Sequence, residues 1–462
     1  MTPRTRTRSR WQVLAVIAVL VGLLAAVCSS SDDSQDDNGG GSSDTSAASG
    51  DLAENVPVDA PGVTDTEITY SVLASATGDP TGQCGLPCFE TGIQAYFDYV
   101  NTEKGGIYGR RLVAAEGIDD EFGKNLEKAL EVIAADDTFG TFSNSSLPTG
   151  YQSFADEQIP LYVWASNPVA MQGNESIWGE NTVRCLQIGC WDRVVPYLMK
   201  VSGRHKLATV GYGIAQSSKD CAQNQAQSVE QAKAQIGSDA EAVYVNDNLP
   251  FGMPNGAAPE VTAMKNAGAD IMATCIVNSD VKTIMQEAKR QGLDILPLLT
   301  NIDEEALVSA AGAFDGGYFR NAVRPFAADL NEAQEKYNEY VEKNGGKTAE
   351  ITLYGWINAA LAYEGLVQAG PDFSREKVVE GTNTLTGFTA AGLTAPMNWT
   401  TGHTAPTPTD TSNNNEFECY GISKIDGGEL VLEGDPAKPF TCWPGTDDWQ
   451  WTSGWPQDMS FD

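Results

Sequence analysis

From Thr66 to Leu299 the chain repeats one unit: a short apolar run, a break of Gly, Asp, Asn or Ser, then a segment of helical period. A strand that returns to its sheet through a helix must pair in parallel, so sustained alternation of this kind dictates parallel sheet with helices on both faces. The first series predicts strands at Ile68–Ala74, Arg111–Ala115, Thr138–Phe142 and Pro160–Trp164. Its helices are Phe89–Asn101, with Ile93, Tyr96, Phe97 and Val100 on one face, Asn125–Ala135, with Leu126, Ala129, Leu130 and Ile133 aligned, and a third between the last two strands. A second series follows Trp191, with strands Leu207–Gly211, Ala242–Val245, Asp270–Val277 and Ile295–Leu299. Its helices are Cys221–Ile236, Pro259–Ala267 and Val281–Gln291. Two such series make two lobes, each a mostly parallel α/β sheet flanked by helices.

The rhythm then stops. Asn331–Lys343, Ile351–Ala369 and Ser374–Leu385 read as helices without strands between them, and Glu416–Leu432 as an antiparallel hairpin. Helices with no strands of their own must cover sheets already built, so the chain crosses between lobes more than once.

The N-terminus reads as an address. An Arg-rich start (Arg4, Arg6, Arg8, Arg10) precedes the apolar run Trp11–Val27, which ends at Cys28. That is the form of a signal segment, and Leu24-Ala25-Ala26-Val27-Cys28 resembles a bacterial lipobox, making Cys28 the lipidation residue. Val27 departs from the small residue usual before such a cysteine, and simple secretion or an uncleaved membrane anchor is the alternative. Residues 29–60 follow as a linker, rich up to Gly50 in Ser, Asp and Gly.

Charge narrows the function. With 29 basic and 62 acidic residues the formal net charge is −33, a surface that repels phosphate backbones and excludes nucleic acid as a partner. Only two histidines, His205 and His403, are available for a triad or a metal site, and no Gly-x-Ser-x-Gly turn occurs. The Asp119-Asp120 pair reads as solvated charge at a strand end. We therefore expect no enzyme, no metal and no cofactor. Of nine cysteines, eight remain beside Cys28, which suits disulfides in an exported chain. Short loops favour Cys84–Cys88 and Cys185–Cys190, though these could cross-bridge; Cys419 and Cys442 flank the hairpin, leaving Cys221 with Cys275.

Ligands of open α/β sheets bind beyond the carboxyl ends of strands. Three regions there combine polar and aromatic residues: Asn144-Ser145-Ser146, Trp164-Ala165-Ser166, and the C-lobe turns holding Asn278 and Asp280, then Asn301 and Asp303. Hydroxyls and free N–H groups before a helix suit a carboxylate, and acids could hold an ammonium group. Ordinary helix capping explains each turn equally well by itself, above all at Asp280 and Asp303.

Taken in order, several segments resemble the leucine/isoleucine/valine-binding family of ABC-transporter solute receptors. They are Gly62-Val63-Thr64-Asp65-Thr66-Glu67-Ile68, Tyr99-Val100-Asn101 running into Gly105-Gly106-Ile107-Tyr108-Gly109-Arg110-Arg111, and Asp119-Asp120. The Ser145-Ser146 turn, Ile159-Pro160, Ala165-Ser166-Asn167-Pro168, Met264-Lys265-Asn266-Ala267-Gly268-Ala269-Asp270 and Pro396-Met397-Asn398-Trp399 continue the register. The resemblance implies a type I periplasmic-binding-protein fold with three crossovers, near Leu186, Ala322 and Thr400. The lobes would then be 61–186 with 323–400, and 187–322 with 401–462, after a signal segment at 1–28. It implies that Asn144, Ser145, Ser146, Trp164, Ala165 and Ser166 hold a carboxylate. Gln216, Asn278, Asn301 and Asp303 fall where the second lobe contacts the ligand. By the same resemblance the ligand is a small amphipathic molecule, amino-acid-like, an amide or a carboxylate, and the partner of a monomeric receptor is an ABC permease. A sensing receptor on the same fold, uncoupled from transport, is the competing expectation.

Overall fold

A computed structural model describes residues 52, 54–79, 84–145, 147–164, 171–179, 193–299, 307, 310, 312–404 and 417–444. In it the first series forms one parallel sheet from β1 (Glu67–Ala74), β2 (Arg111–Ala114), β3 (Ile118–Asp119), β4 (Gly140–Asn144), β5 (Leu161–Val163) and β6 (Ile177–Gly179). The order is β2-β1-β4-β5-β6, with β3 beside β1. Alternate residues feed two cores, as the two-residue period of a strand requires. Tyr70, Val72, Phe142 and Tyr162 pack on one face, and Leu73, Leu161, Val163 and Ile177 on the other. Tyr162 stacks on Trp178 at 5.1 Å, which adds about 0.5–1.5 kcal/mol beyond its burial.

The second sheet contains β7 (Lys206–Tyr212), β8 (Glu241–Leu249), β9 (Ile271–Cys275), β10 (Leu296–Leu299) and β11 (Tyr318–Asn321). A separate two-stranded piece, β12 (Thr386–Phe388) with β13 (Met397–Asn398), precedes β14 (Phe417–Asp426), β15 (Glu429–Leu432) and β16 (Phe440–Pro444). The last three close the second sheet in the order β15-β14-β11-β10-β9-β7-β8, with β16 also on β14. β7 to β11 pair in parallel, whereas β14 runs antiparallel to β11, β15 and β16. This sheet too has a core on each face.

The strandless stretch returns to the first sheet. Helix Glu350–Ala369 is buried on nearly every side and lies against helix Leu86–Tyr99. Each helix offers the other a glycine: a Cβ on Gly92 would stand 1.9 Å from the Thr352 carbonyl oxygen, and one on Gly355 2.2 Å from that of Phe89. Side chains there would push the backbones apart. Two crossing segments run side by side, with Val323 bridged to Thr394 and the Arg324 N–H on the Leu393 carbonyl at 2.7 Å.

Several expectations need correction. β4 begins at Gly140 and ends at Asn144, so Asn144 closes a strand rather than opening a turn. Helices start earlier than read, at Gln216 and Asn278, which puts both residues in a first helical turn. Helix Asn125–Ala135 buries Asn125, Ala129 and Val132, leaving Leu126 and Leu130 at 44% and 50% exposure. Its rotation is set by Asn125, which donates to Asp120 at 3.2 Å and accepts the Gly150 N–H at 2.8 Å. A buried polar anchor outweighs two leucines here because an unmade buried hydrogen bond costs about 1–3 kcal/mol. Strands β3, β6, β11, β12, β13 and β16 lie beyond those the sequence pattern predicts.

Candidate functional site

Register aligns the carboxyl ends of the first sheet. Ala74 pairs with both Asp119 and Asn144, and Ser143 with Val163. Ser75, Asp119-Asp120, Asn144-Ser145 and Trp164 therefore form one row along the sheet edge.

Asp120 is the centre of that row and is fully buried, not solvated as the sequence reading held. Its carboxylate accepts the Ser75 hydroxyl at 2.7 Å, the Phe122 N–H at 2.9 Å, the Asn125 amide at 3.2 Å and the Ser145 hydroxyl. One acid thus joins the end of β1, the turn after β3, the helix that follows and the turn after β4. Adjacent residues leaving a strand point in opposite directions, so one member of an Asp-Asp pair had to face inward. The two-residue strand period is the signal in the sequence that marks this pair.

Asp119 faces out and secures the loop after β1. It accepts the Thr77 hydroxyl at 2.5 Å and the N–H groups of Ala76, Thr77 and Glu121 at 2.9, 3.2 and 2.9 Å. The loop is pinched at its base: the Leu86 N–H meets the Ser75 carbonyl at 2.8 Å, and a Cβ on Gly85 would stand 2.1 Å from the same oxygen. A Cys84–Cys88 disulfide ties the end of the loop to the first turn of helix Leu86–Tyr99. Burial pushes the Asp119 carboxyl up, but the Thr77 hydroxyl and the three N–H groups outweigh it and hold the pKa below its ordinary 3.8. The stabilisation is therefore complete above that unfolded value and is lost as pH falls through the lower, folded one. Amide exchange at Ala76, Thr77 and Glu121, corrected for intrinsic rate, is expected to accelerate only below about pH 4. Asp119→Asn should remove that pH dependence; an unchanged profile in the variant would assign the effect elsewhere.

Asn144 and Ser145 are 7% and 6% exposed. The Ser145 hydroxyl gives its proton to Asp120. Trp164 is half-buried, its N–H on the Ser143 carbonyl at 3.0 Å and its ring edge-on to Tyr354 at 6.0 Å. Its indole N–H is buried and makes no hydrogen bond to the described residues. Ser146, Ala165, Ser166, Asn301 and Asp303 lie outside the described residues, as do Cys28, Cys185 and Cys190.

The facing edge belongs to the second sheet. Tyr212, at the end of β7, pairs with Leu249 at the end of β8, and Gly211 with Cys275 at the end of β9. The Tyr212 hydroxyl donates to Asp280 at 2.5 Å and accepts the Val277 N–H at 3.2 Å, while Asp280 also accepts the Gly252 N–H at 3.0 Å. Burial, then the Asp280 hydrogen bond and charge, raise the Tyr212 pKa and keep the phenol protonated. Asp280 is therefore neither a helix cap nor a free acid; Tyr212, which the sequence reading missed, takes it up. Gln216 is exposed and bound to Asp220 at 2.7 Å, and Asn278 is half-buried. A disulfide joins Cys221 to Cys275 behind this edge, and another joins Cys419 to Cys442 across β14 and β16.

The histidines stand away from both rows. His205 precedes β7 at the opposite end of its strand, 2.8 Å from Asp239. His403 is packed against Trp399 and Trp178 with Nε2 3.0 Å from Asn383, and burial lowers its pKa. Among the described residues no group of three or more His, Cys, Asp or Glu could hold a metal, and no helix is long and apolar enough to cross a membrane.

Two doubly covered, mostly parallel sheets, joined by crossing segments and bearing polar and aromatic rows at their carboxyl ends, define a two-lobed solute-binding fold. Residues 67–411 match the family model described as periplasmic binding protein, and the chain belongs to that family. Among curated proteins none matches in sequence. Solved structures share the fold. A fatty acid ABC transporter substrate-binding protein from Thermomonospora curvata is 20% identical with a TM-score of 0.62, covering 81% of this chain and 92% of its own. A branched-chain amino acid ABC transporter protein from Thermus thermophilus with bound valine is 16% identical (TM-score 0.63; 80% and 96% covered). A solute-binding protein from Rhodopseudomonas palustris HaA2 in complex with p-hydroxybenzoic acid is 13% identical (TM-score 0.63; 83% and 98% covered).

Proposed function

We propose that this protein is an exported, lipid-anchored receptor that captures a small carboxylate with an apolar body between its lobes and delivers it to an ABC permease. The observation that carries this reading is the pair of rows at the carboxyl ends of the two sheets, in a chain of the periplasmic binding protein family. Valine and p-hydroxybenzoic acid, held by two of the similar structures, and the fatty acid named for the third share that chemistry. With the Ser145 proton committed to Asp120, recognition of the carboxylate falls to Ser146, Ser166 and backbone N–H groups of the turns Asn144–Ser146 and Trp164–Ser166. Gln216, Asn278, Asn301 and Asp303 meet the rest of the solute from the other lobe. Cys28 supplies the membrane attachment, and the receptor works as a monomer without a cofactor.

A thermal-shift screen of valine, leucine, 4-hydroxybenzoate and short fatty acids tests this. A true ligand at a hundred times its dissociation constant stabilises by about 2.7 kcal/mol. No shift with any carboxylate would reject the ligand class. Uptake of the labelled hit by cells, abolished on deletion of the receptor, supports transport; retained uptake would make the protein a sensor.

A further inference from the structure

Among the described residues, an aromatic pair spans the two lobes at the ligand-facing ends of their sheets. Phe122 lies in the turn after β3, three residues beyond Asp119, and Phe251 lies two residues beyond Leu249 at the end of β8. Their ring centroids are 6.2 Å apart, and Phe251 in turn packs on Tyr212 at 4.7 Å. Both phenylalanines are half-buried.

The backbone under Phe122 is held in a costly shape. Glu121 and Phe122 have φ of 47° and 65°, a region that side chains larger than Asn rarely occupy and that persists only when surroundings over-determine it. Here they do. The Asp119 carboxylate takes the Glu121 N–H and the Asp120 carboxylate the Phe122 N–H, each at 2.9 Å, two consecutive Asx turns that aim the ring away from its own lobe. On the other side, Asp280 fixes Tyr212 and Gly252, the neighbours of Phe251. Both rings are thus presented on rigid supports, and neither support needs a solute.

We propose that Phe122 and Phe251 form an aromatic latch between the lobes, which favours the shut cleft even when empty and adds the same increment to the retention of any solute. This goes beyond solute capture, because it assigns part of the closing free energy to a contact the solute does not make.

The test uses the full chain in detergent micelles, with spin labels carried by genetically encoded residues at Leu126 and Val245, exposed by 44% and 46% on opposite lobes. Without solute, the wild type should show a short inter-label distance. Phe122→Ala should add a longer component and lower the short-to-long ratio about two- to tenfold, the population equivalent of one aromatic pair. Phe251→Ala should do the same, and the double variant should go no further than either. Phe122→Leu keeps an apolar side chain on the turn and should still lengthen the distance, which guards against loss of folding in the alanine variant. Coincident distributions in all proteins, strictly additive single effects, or a wild type without the short component would each overturn the latch. The measurement needs no ligand, so its outcome is separable from that of the thermal-shift screen.

Discussion

Asp120→Ala is expected to lower stability by about 3–5 kcal/mol, the largest effect of any single substitution at the sheet edge. The removed carboxylate is fully buried and is the acceptor for Ser75, Phe122, Asn125 and Ser145. Alanine would strand three side-chain donors and one N–H away from water, each costing about 1–3 kcal/mol before the structure relaxes. Asp120→Asn keeps the volume but turns an NH2 group towards donors, so it should recover only part of the loss. Ser145→Ala removes one donor of four and should cost about 1–2 kcal/mol. Urea unfolding of the three variants checks the order. A loss below about 1 kcal/mol for the alanine variant would mean that the cluster is not a support of the fold.

Removing the Cys221–Cys275 bridge, by the double serine substitution, should cost about 4 kcal/mol. The bridge spans 54 residues, and opening a loop of that length restores much of the freedom of the unfolded chain. It ties helix Gln216–Gln231 to the end of β9, directly behind Tyr212 and Ser218, whose hydroxyl donates to the Cys275 carbonyl at 2.5 Å. The Cys84–Cys88 bridge closes a separation of only 4 and should matter less. Denaturant midpoints of the two double serine variants decide this, and equal losses would point to strain relief or denatured-state structure in place of loop entropy.

The alternation of strands and helices was legible because it rests on local periodicity, which needs no knowledge of neighbours. The long strands β1 and β7 and helix Glu350–Ala369 were read within a residue or so. β6, of 3 residues, and β11, of 4, are too short to show a period and become strands only beside β5 and β10. Periodicity also misjudged helix Asn125–Ala135, where Leu126 and Leu130 make an apolar stripe that faces out.

The candidate site was legible as positions rather than as contacts. The turns at Asn144–Ser145 and Trp164 do lie along the first sheet's carboxyl edge. Which of their groups are already engaged was not visible: Ser145 is claimed by Asp120, a residue 25 positions away. Asp280 with Tyr212 spans 68 positions, and nothing local marks such partners.

By itself, then, the chain's sequence determined its class: hydrophobic period and glycine breaks force parallel sheets, while acidic charge weighs against polyanions as partners. Tertiary structure alone decided which sheet the mostly apolar helix Glu350–Ala369 covers, through the mutual approach of Gly92 and Gly355. It also decided which of two adjacent acids is buried and which aromatic rings meet between the lobes. Those outcomes depend on distances between segments far apart in the chain, and such distances exist only after the backbone has packed.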